Sequence, residues 1–387
     1  MAKLISFFMT VIMFICPWAN IPKAEIDFDG MKTNYPYVFI HGLGGWGENT
    51  FYYDVFPYWG VAGGDMLKYL GARGFKCVAP SMTQNGSAWD RACEAYAQLT
   101  GTRVDYGKEH SERCNHPRFG TDYTGRALLD DWSAENKVNL MGHSFGGATM
   151  LELVELMMNG SEAERNATES GDLSPLFEGG KGDYIYSVTG LAAPYNGTTA
   201  VPCKEVINAK QNAPFNQRLV VLAVGGVASP IRDGRSETDC AGYDLDIDPA
   251  IALTETWHYS DEIYYFSLPC CMTDTDENGV TTCDESDFEF IYAGAATVMA
   301  EYTGVTPGGV VCDESWQPND GLVNTISAKA PFNAPMNDGY TGGKAAKGVF
   351  NVYPVYRGDH MSLMGGLLNN NNIREIYVDM MVNINSL

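Results

Sequence analysis

Short apolar runs of strand length recur along the chain, separated by polar or glycine-rich stretches. Runs bounded in this way are typical of strands buried on both faces of a parallel sheet. The pattern predicts strands at residues 37–40, 76–79, 137–141, 184–191, 263–268 and 349–355. Apolar residues at helical spacing predict helices at residues 147–158 and 373–382. The alternation favours an α/β fold with a mostly parallel central sheet and helices on both faces.

The amino-terminal residues, MAKLISFFMTVIMFICPWA, combine a short basic start with an apolar run too short to cross a bilayer comfortably. This combination is typical of a signal peptide. We therefore predict a signal peptide at residues 1–24, export from the cell, and a single domain over residues 25–387. No other stretch approaches transmembrane length, so we expect no stable membrane insertion.

The charge balance narrows the class of partner. The chain has 48 acidic and 25 basic residues, which give a formal net charge of -23. Such a charge repels nucleic acid and anionic membrane surfaces. We expect no nucleic-acid partner, and we expect a monomer. The surplus carboxylates are candidate ligands for divalent cations.

The turn after the third predicted strand carries a candidate nucleophile. It reads Gly142-His143-Ser144-Phe145-Gly146, a G-x-S-x-G pattern. The motif is short, but here a predicted strand leads into it and a predicted helix leaves it. A sharp turn in that position exposes the serine hydroxyl, and the glycines relieve the crowding. The context predicts Ser144 as a nucleophile; an ordinary glycine-rich turn is the alternative.

An activated serine needs a histidine base and a carboxylate that orients the base. Where the nucleophile lies on a strand–turn–helix of this kind, the chain order is Ser, acid, His. His258 and His360 are the histidines that follow Ser144. Asp320, in the loop PNDGLV, is the predicted acid, and it leaves His360 as the base. Two other acids stay open as alternatives, Asp338 and Asp359.

Acyl transfer also needs hydrogen-bond donors for the developing oxyanion, each worth on the order of 3 kcal/mol. One predicted donor is the backbone N–H of Phe145, which follows the nucleophile. The other is the N–H of Leu43, in the loop HGLGG after the first predicted strand.

With these motifs in place, the chain resembles the thermoalkaliphilic, zinc-containing bacterial lipases of the α/β-hydrolase superfamily. The resemblance runs from about Tyr35 to the C-terminal helix and is dense in the blocks HGLGGWG, WDRACEAYAQL, GHSFGG, SPLFEGG and NDGLVN. It implies an α/β-hydrolase fold and assigns Ser144, Asp320 and His360 to the family's triad. The implied function is a secreted lipase that hydrolyses acylglycerol esters through an acyl-serine intermediate. Carboxylesterase, phospholipase and an inactive hydrolase-fold binding protein are the alternatives.

The resemblance also implies a zinc ion held by two aspartates and two histidines. The matching positions are Asp90, His110, His116 and Asp244. Two imidazoles and two carboxylates suit a closed tetrahedral site, which is typical of a structural metal. Cys114 stands between the two histidines and offers a thiolate as an alternative ligand. We expect this zinc segment to be an insertion at about residues 82–125.

Calcium is a second candidate cation. The lipase family's own calcium site uses acidic residues just after the catalytic histidine, and residues 361–365 here read MSLMG, so that site is not expected. The segment DTDENGVTTCDE at residues 274–285 matches a twelve-residue calcium loop. Its candidate ligands are Asp274, Asp276, Asn278 and Glu285. The flanking strand and cysteines favour a hairpin, so a solvated acidic insertion is the alternative.

A strongly apolar segment at residues 219–228, LVVLAVGGVA, falls where the lipase family carries a lid helix. We expect an insertion at about residues 203–260 whose lid covers the site in water and opens at an oil–water interface. A buried core segment is the alternative.

Overall fold

The computed structural model describes residues 26, 28, 30–60, 64–209, 234–283, 290–366 and 373–387. The predicted signal peptide at residues 1–24 and the predicted lid segment at residues 219–228 lie outside these residues. Within the described ranges, no helix combines the length and the apolar character needed to cross a membrane.

A seven-stranded sheet runs through the centre of the molecule, and every neighbouring pair of its strands is parallel. Its strands are β1 (Tyr37–Ile40), β2 (Cys77–Val78), β3 (Val138–His143), β4 (Ile185–Leu191), β5 (Tyr264–Leu268), β6 (Met336–Asp338) and β7 (Phe350–Val352). They lie in the order β6-β7-β5-β4-β3-β1-β2. The predicted parallel α/β sheet is therefore confirmed.

The strands predicted from apolar runs all belong to this sheet, and β6 is the one that the apolar pattern does not predict. β6 is exposed along its whole length and pairs with β7 at the edge of the sheet. An edge strand of this kind keeps its side chains in water, so its sequence needs no apolar run.

The helices surround the sheet. They are α1 (Met66–Gly71), α2 (Ala88–Thr100), α3 (Lys108–Cys114), α4 (Gly146–Asn159), α5 (Glu162–Ala167), α6 (Pro175–Glu178), α7 (Ala200–Ala209), α8 (Ala241–Asp244), α9 (Ile247–Thr254), α10 (Phe290–Ala300), α11 (Thr325–Lys329) and α12 (Arg374–Asn385). The two helices predicted from periodicity correspond to α4 and α12.

The core has one layer on each face of the sheet. In β1, Val38 and Ile40 pack into one hydrophobic cluster, whereas Tyr37 and Phe39 pack into another. This division follows because successive side chains of a strand point to opposite faces. The first cluster contains residues of α2 and α4, and the second contains residues of α1 and α12. Helices on both faces are therefore confirmed.

The segment between β2 and β3 carries α2, α3 and a small antiparallel strand pair, Arg103–Asp105 with Phe119–Asp122. The Ser87 hydroxyl caps α2 by accepting the Asp90 N–H at 3.2 Å, and the helix ends at Gly101, whose φ of 66° is left-handed. These elements lie within residues 82–125, where the sequence predicts an insertion.

Candidate active site and metal centre

Ser144 lies in a strained turn between β3 and α4. Its φ of 56° is left-handed, which is uncommon for a residue with a side chain. A Cβ on Gly142 would lie 2.5 Å from the Gly146 oxygen, and a Cβ on Gly146 would lie 2.2 Å from the Ile40 oxygen. Glycine at both positions is therefore a steric requirement. The left-handed φ of Ser144 is a backbone strain, which costs on the order of 1–3 kcal/mol, and such strain is concentrated at functional sites.

His360 joins Ser144 to Asp320. Its Nε2 lies 2.8 Å from the Ser144 Oγ, and its Nδ1 lies 2.8 Å from the Asp320 Oδ2. The other Asp320 oxygen accepts the N–H groups of Leu322 at 3.0 Å and Val323 at 2.7 Å. The Asp320 carboxylate is fully buried, so these donors hold it in one orientation. The structure thus brings the three residues of the predicted triad into one hydrogen-bonded chain.

The alternatives left open by the sequence lie elsewhere. The His258 side chain is 70% exposed and pairs with Glu155. Asp338 is exposed in β6 and pairs with Lys329. Asp359 is buried beside His360 in the chain, but its Oδ1 accepts the Met361 N–H at 3.0 Å. Asp320 is the carboxylate that contacts the His360 ring.

The loop after β1 lies directly against the nucleophile. A Cβ built on Gly42 would come within 2.7 Å of the Ser144 Cβ, so the backbone of this loop approaches as closely as a glycine permits. Leu43 and Phe145, the predicted oxyanion donors, flank this point of contact. In the described part of the chain, neither of their N–H groups donates a hydrogen bond to a protein acceptor. Both groups therefore stay available to a substrate oxygen.

A buried hydrogen-bond chain connects this loop to His360. The Gly42 N–H donates to the Tyr58 hydroxyl at 2.9 Å, and that hydroxyl contacts the His143 Nδ1 at 2.8 Å. The His143 Nε2 lies 3.0 Å from the His360 carbonyl oxygen. Because a carbonyl can only accept, Nε2 carries the proton and Nδ1 accepts from Tyr58. Burial lowers the pKa of His143, so its ring stays neutral and keeps this arrangement.

A second group of polar side chains, which we call the Asp–His group, includes Asp90 in the first turn of α2. Asp90, His110, His116 and Asp239 each offer one ligand atom, and these atoms lie within 4.8 Å of one another. The His110 Nε2 is 3.1 Å from the Asp90 Oδ1 and 3.5 Å from the Asp239 Oδ1. The His116 Nε2 is 3.5 Å from the Asp239 Oδ2. Two imidazoles and two carboxylates at this separation can hold a metal ion.

Two atoms of this group point to a cation. The His116 Nε2 and the Asp239 Oδ2 are buried and have no hydrogen-bond partner among the described residues. Buried polar atoms without a partner are costly, and a bound cation would satisfy both. Burial lowers the pKa of His110, but hydrogen bonds to Asp239 and Asp90 outweigh it and raise the pKa to about 11. The facing carboxylates therefore favour positive charge at this point.

The fourth member of the group corrects the sequence prediction, which names Asp244. The Asp244 Oδ2 instead accepts the Ala88 N–H at 2.7 Å, and burial raises the pKa of this carboxyl to about 7. Asp244 is the last residue of the single-turn α8 and faces the start of α2, whereas Asp239 precedes that turn. Both aspartates lie in the six residues DCAGYD, so the sequence offers no signal that separates them.

Cys114, the alternative ligand, is not a member of this group. Its Sγ lies 3.9 Å from the His110 Nδ1, the ring nitrogen opposite the one that faces the carboxylates. The Trp89 ring stacks on the His110 ring at 5.0 Å between centroids, and this contact also fixes the imidazole plane.

The described part of the predicted calcium loop is a hairpin. Asp274–Thr275 pairs antiparallel with Thr281–Thr282, and the Asp274 carboxylate pairs with Arg357. The Asp276 Oδ1 accepts the N–H groups of Asn278 at 2.8 Å and Val280 at 2.9 Å. Backbone turn contacts therefore engage Asp276, and Glu285 lies outside the described residues. The described residues form the hairpin that the sequence offers as the alternative, and the calcium loop stays a prediction.

Comparison with known sequences is consistent with this geometry. A family model described as "Lipase-like, C-terminal domain" matches residues 33–213. "Lipase 1" of Staphylococcus aureus (strain MRSA252) is 30% identical over 363 residues, which cover 86% of this chain and 51% of that protein. The chain therefore spans about half the length of this curated relative.

Solved structures are similar to nearly the whole chain. EstA from Clostridium botulinum has a TM-score of 0.78 at 29% identity, with 97% of this chain and 93% of EstA covered. Lipase 1 from Pelosinus fermentans has a TM-score of 0.72 at 29% identity, with 92% and 99% covered. Staphylococcus hyicus lipase has a TM-score of 0.72 at 25% identity, with 93% and 98% covered. The chain belongs to the bacterial lipase family of the α/β-hydrolase type.

Proposed function

We propose that the protein is a secreted lipase that hydrolyses ester bonds of acylglycerols through an acyl-serine intermediate. The observation that carries this proposal is the chain of two 2.8 Å contacts from Ser144 through His360 to Asp320. The strained serine turn and two unengaged backbone donors beside it support the same reaction. The names of the similar proteins, which include several lipases, support the ester substrate.

The residues would act as follows. The Ser144 Oγ attacks the ester carbonyl carbon while the His360 Nε2 takes its proton. Asp320 holds the imidazole in the required tautomer and stabilises the imidazolium. The N–H groups of Leu43 and Phe145 donate to the oxyanion of the tetrahedral intermediate. Collapse of this intermediate breaks the ester C–O bond, and the imidazolium gives its proton to the departing alcohol.

The same groups then remove the acyl chain. The His360 Nε2 takes a proton from a water molecule, and the water oxygen attacks the acyl carbonyl on Ser144. A second tetrahedral intermediate forms against the same two N–H donors. Its collapse releases the carboxylic acid and returns the proton to the Ser144 Oγ, which restores the resting site.

The proposed metal is one structural zinc held by Asp90, His110, His116 and Asp239. Zinc bound there would supply a cross-link between α2, α3 and the segment before α8, because its ligands come from these parts of the chain. The protein would fill all four ligand positions, which is typical of a structural site. The triad residues are a separate set of side chains, and none of them belongs to this group. The proposal therefore gives the metal no part in the chemical steps.

Replacement of the nucleophile tests the reaction. Ser144→Ala should reduce hydrolysis of p-nitrophenyl butyrate to the uncatalysed background, because no other residue takes the place of the Oγ. Ser386→Ala, at an exposed serine near the carboxyl terminus, is the matched control and should keep full activity. Turnover retained in Ser144→Ala would contradict the proposal.

The substrate class and export need their own measurements. A lipase should hydrolyse emulsified long-chain triacylglycerol, and its rate should rise once the substrate exceeds its solubility. Activity confined to soluble short-chain esters would identify a carboxylesterase instead, and release of fatty acid from phospholipid alone would identify a phospholipase. Residues 1–24 fused to a reporter enzyme should export it, and a reporter retained in the cytoplasm would contradict secretion.

A further inference from the structure

The Arg91 guanidinium lies in the interior next to the candidate oxyanion hole. The side chain is fully buried, which is rare for arginine. Its Nη2 donates to the His41 carbonyl, and its Nη1 donates to the Thr83 carbonyl at 3.0 Å. Its Nε donates to the Thr149 hydroxyl at 2.9 Å. One side chain thus joins the loop after β1, the loop after β2, and α4.

These partners stand beside both predicted oxyanion donors. His41 and Gly42 directly precede Leu43, and the Gly42 carbonyl is itself 3.5 Å from the Arg91 Nη1. On the other side, the Thr149 hydroxyl donates to the Phe145 carbonyl at 3.3 Å. Arg91 therefore lies 3.5 Å from the carbonyl oxygen of the peptide that carries the Leu43 N–H. It is linked to Phe145, which carries the other donor, through the Thr149 hydroxyl.

Among the described residues, the charge of Arg91 has no direct counterion. In the described part of the chain, no carboxylate oxygen lies within 4.0 Å of its guanidinium nitrogens. Arginine does not lose its proton in proteins, so the group is a cation at neutral pH. The guanidinium also lies 5.3 Å from the centre of the Phe145 ring and 3.5 Å from the His41 Nδ1. A buried cation whose contacts are neutral groups is costly to fold around. A positive charge fixed in such a place stabilises a negative charge that forms nearby during a reaction.

We propose that Arg91 is a positioning residue for the oxyanion hole. It fixes the Leu43 and Phe145 backbones relative to Ser144, and its charge favours a negative oxygen between them. This inference rests on the proposed ester hydrolysis. The competing interpretation is that Arg91 only ties three segments of the core together, in which case its loss would lower stability and leave the transition state untouched.

Two variants separate these interpretations. Arg91→Lys keeps the charge but cannot donate to three segments at once, because lysine lacks the planar fork. Thr149→Val leaves Arg91 in place, removes the acceptor of its Nε, and breaks the contact to Phe145. If Arg91→Lys fails to fold, Thr149→Val still tests the proposal. Arg73→Lys is the matched control, since Arg73 is also buried but packs near Tyr69 and Glu375, on the face of the sheet that α1 and α12 cover.

The readouts are kcat and KM for p-nitrophenyl butyrate, and Ki for a trifluoromethyl ketone that forms a tetrahedral oxyanion adduct with Ser144. Titration with a fluorophosphonate gives the concentration of active sites, so misfolded protein does not count. Arg91→Lys should lower kcat per active site by about 10- to 100-fold and raise Ki by a similar factor, with KM within about twofold. Thr149→Val should lower kcat per active site and raise Ki, each by about three- to tenfold.

A kcat per active site and a Ki that stay within about twofold of the parent in every one of these variants that folds would overturn the proposal, whatever happens to thermal stability. Arg73→Lys should lower the thermal midpoint without changing Ki, and an equal change of Ki in this control would also overturn it. Failure of the proposed function gives a different result, because the parent protein itself would then show neither ester hydrolysis nor labelling.

Discussion

Asp90 and Arg91 are adjacent at the start of α2, yet their side chains belong to two different sites. The Asp90 carboxylate lies 3.1 Å from the His110 Nε2 in the Asp–His group, whereas the Arg91 guanidinium donates to the Thr83 carbonyl at 3.0 Å and to the loop that carries Leu43. The capped first turn of one helix therefore orients both. Asp90 is thus one residue along the chain from the arginine that contacts the loop of the candidate oxyanion hole.

Metal analysis of aspartate variants tests the composition of the Asp–His group. The purified protein should contain about one zinc per chain, and Asp239→Asn should weaken zinc binding at least about tenfold because a ligand oxygen is lost. Asp244→Asn should keep the zinc, since Asp244 accepts the Ala88 N–H instead. Zinc retained in Asp239→Asn and lost in Asp244→Asn would restore the ligand set predicted from the sequence.

Chelation should lower the thermal midpoint of the parent protein, because the metal would join α2, α3 and the segment before α8 only in the folded state. The measurement is the unfolding temperature before and after removal of the ion, and again after zinc is returned. A midpoint that chelation leaves unchanged would contradict a structural role for this group.

Asp320→Asn should lower kcat by up to about 10⁴-fold with little loss of folding, because an amide can present its N–H to the ring and favour the wrong tautomer. Steady-state kinetics on a soluble ester provide the measurement. Asp338→Asn is the control, since Asp338 is exposed and pairs with Lys329. Equal losses in the two variants would argue against Asp320 as the residue that orients His360.

Tyr58→Phe should reduce both stability and kcat. Removal of the hydroxyl leaves the Gly42 N–H and the His143 Nδ1 without partners in a buried place, at a cost of about 1–3 kcal/mol. Tyr53→Phe is a matched control, because the Tyr53 hydroxyl is buried and has no hydrogen-bond partner among the described residues. Thermal unfolding of the two variants should therefore diverge, and equal losses would contradict the role of the Tyr58–His143 chain.

Glu152→Gln should stabilise the protein at alkaline pH. Burial raises the pKa of Glu152 to about 7 although the Trp257 indole N–H donates to the carboxylate at 2.8 Å. A carboxyl whose pKa is higher in the folded state contributes stability that is full below the unfolded pKa and lost as the pH rises through the folded pKa. The glutamine keeps an acceptor for Trp257 and carries no charge, so it avoids this loss.

The thermal midpoint of Glu152→Gln relative to the parent should therefore rise between about pH 4.5 and pH 8, by about 2 °C or more. Glu178→Gln, at a side chain that is 54% exposed, should show no such trend. A pH-independent difference for Glu152→Gln would contradict the raised pKa.

The sequence carries enough information for the sheet and for the serine and the histidine of the candidate triad, whereas its pattern alone leaves three aspartates open as the acid. Buried parallel strands need continuous apolar runs, and the serine turn needs its glycines, so both leave a local signal. The order Ser, acid, His fits Asp320 as well as Asp338 and Asp359, and the contact to the His360 ring distinguishes Asp320. The structure brings Ser144, Asp320 and His360 together, and their catalytic role stays a prediction that the experiments above address.

The other features depend on tertiary contacts that leave no local signal. One turn of α8 decides whether Asp239 or Asp244 faces the histidines, and the sequence cannot distinguish two aspartates five residues apart. An arginine in the first turn of a helix is usually exposed, so the sequence does not predict that Arg91 is buried. Its burial results from the packing of α2 against α4. β6 lacks an apolar run because it lies at the edge of the sheet.

Fluorophosphonate labelling of the purified full chain tests Ser144 as the nucleophile, with the site of the label located by mass spectrometry. We expect one label per chain, attached to Ser144, and loss of ester hydrolysis in proportion to the labelled fraction. Labelling of Asp320→Asn should be much slower, and labelling of Ser386→Ala should be normal. A label on any other residue, or hydrolysis that persists after Ser144 is fully labelled, would contradict a serine mechanism at this site.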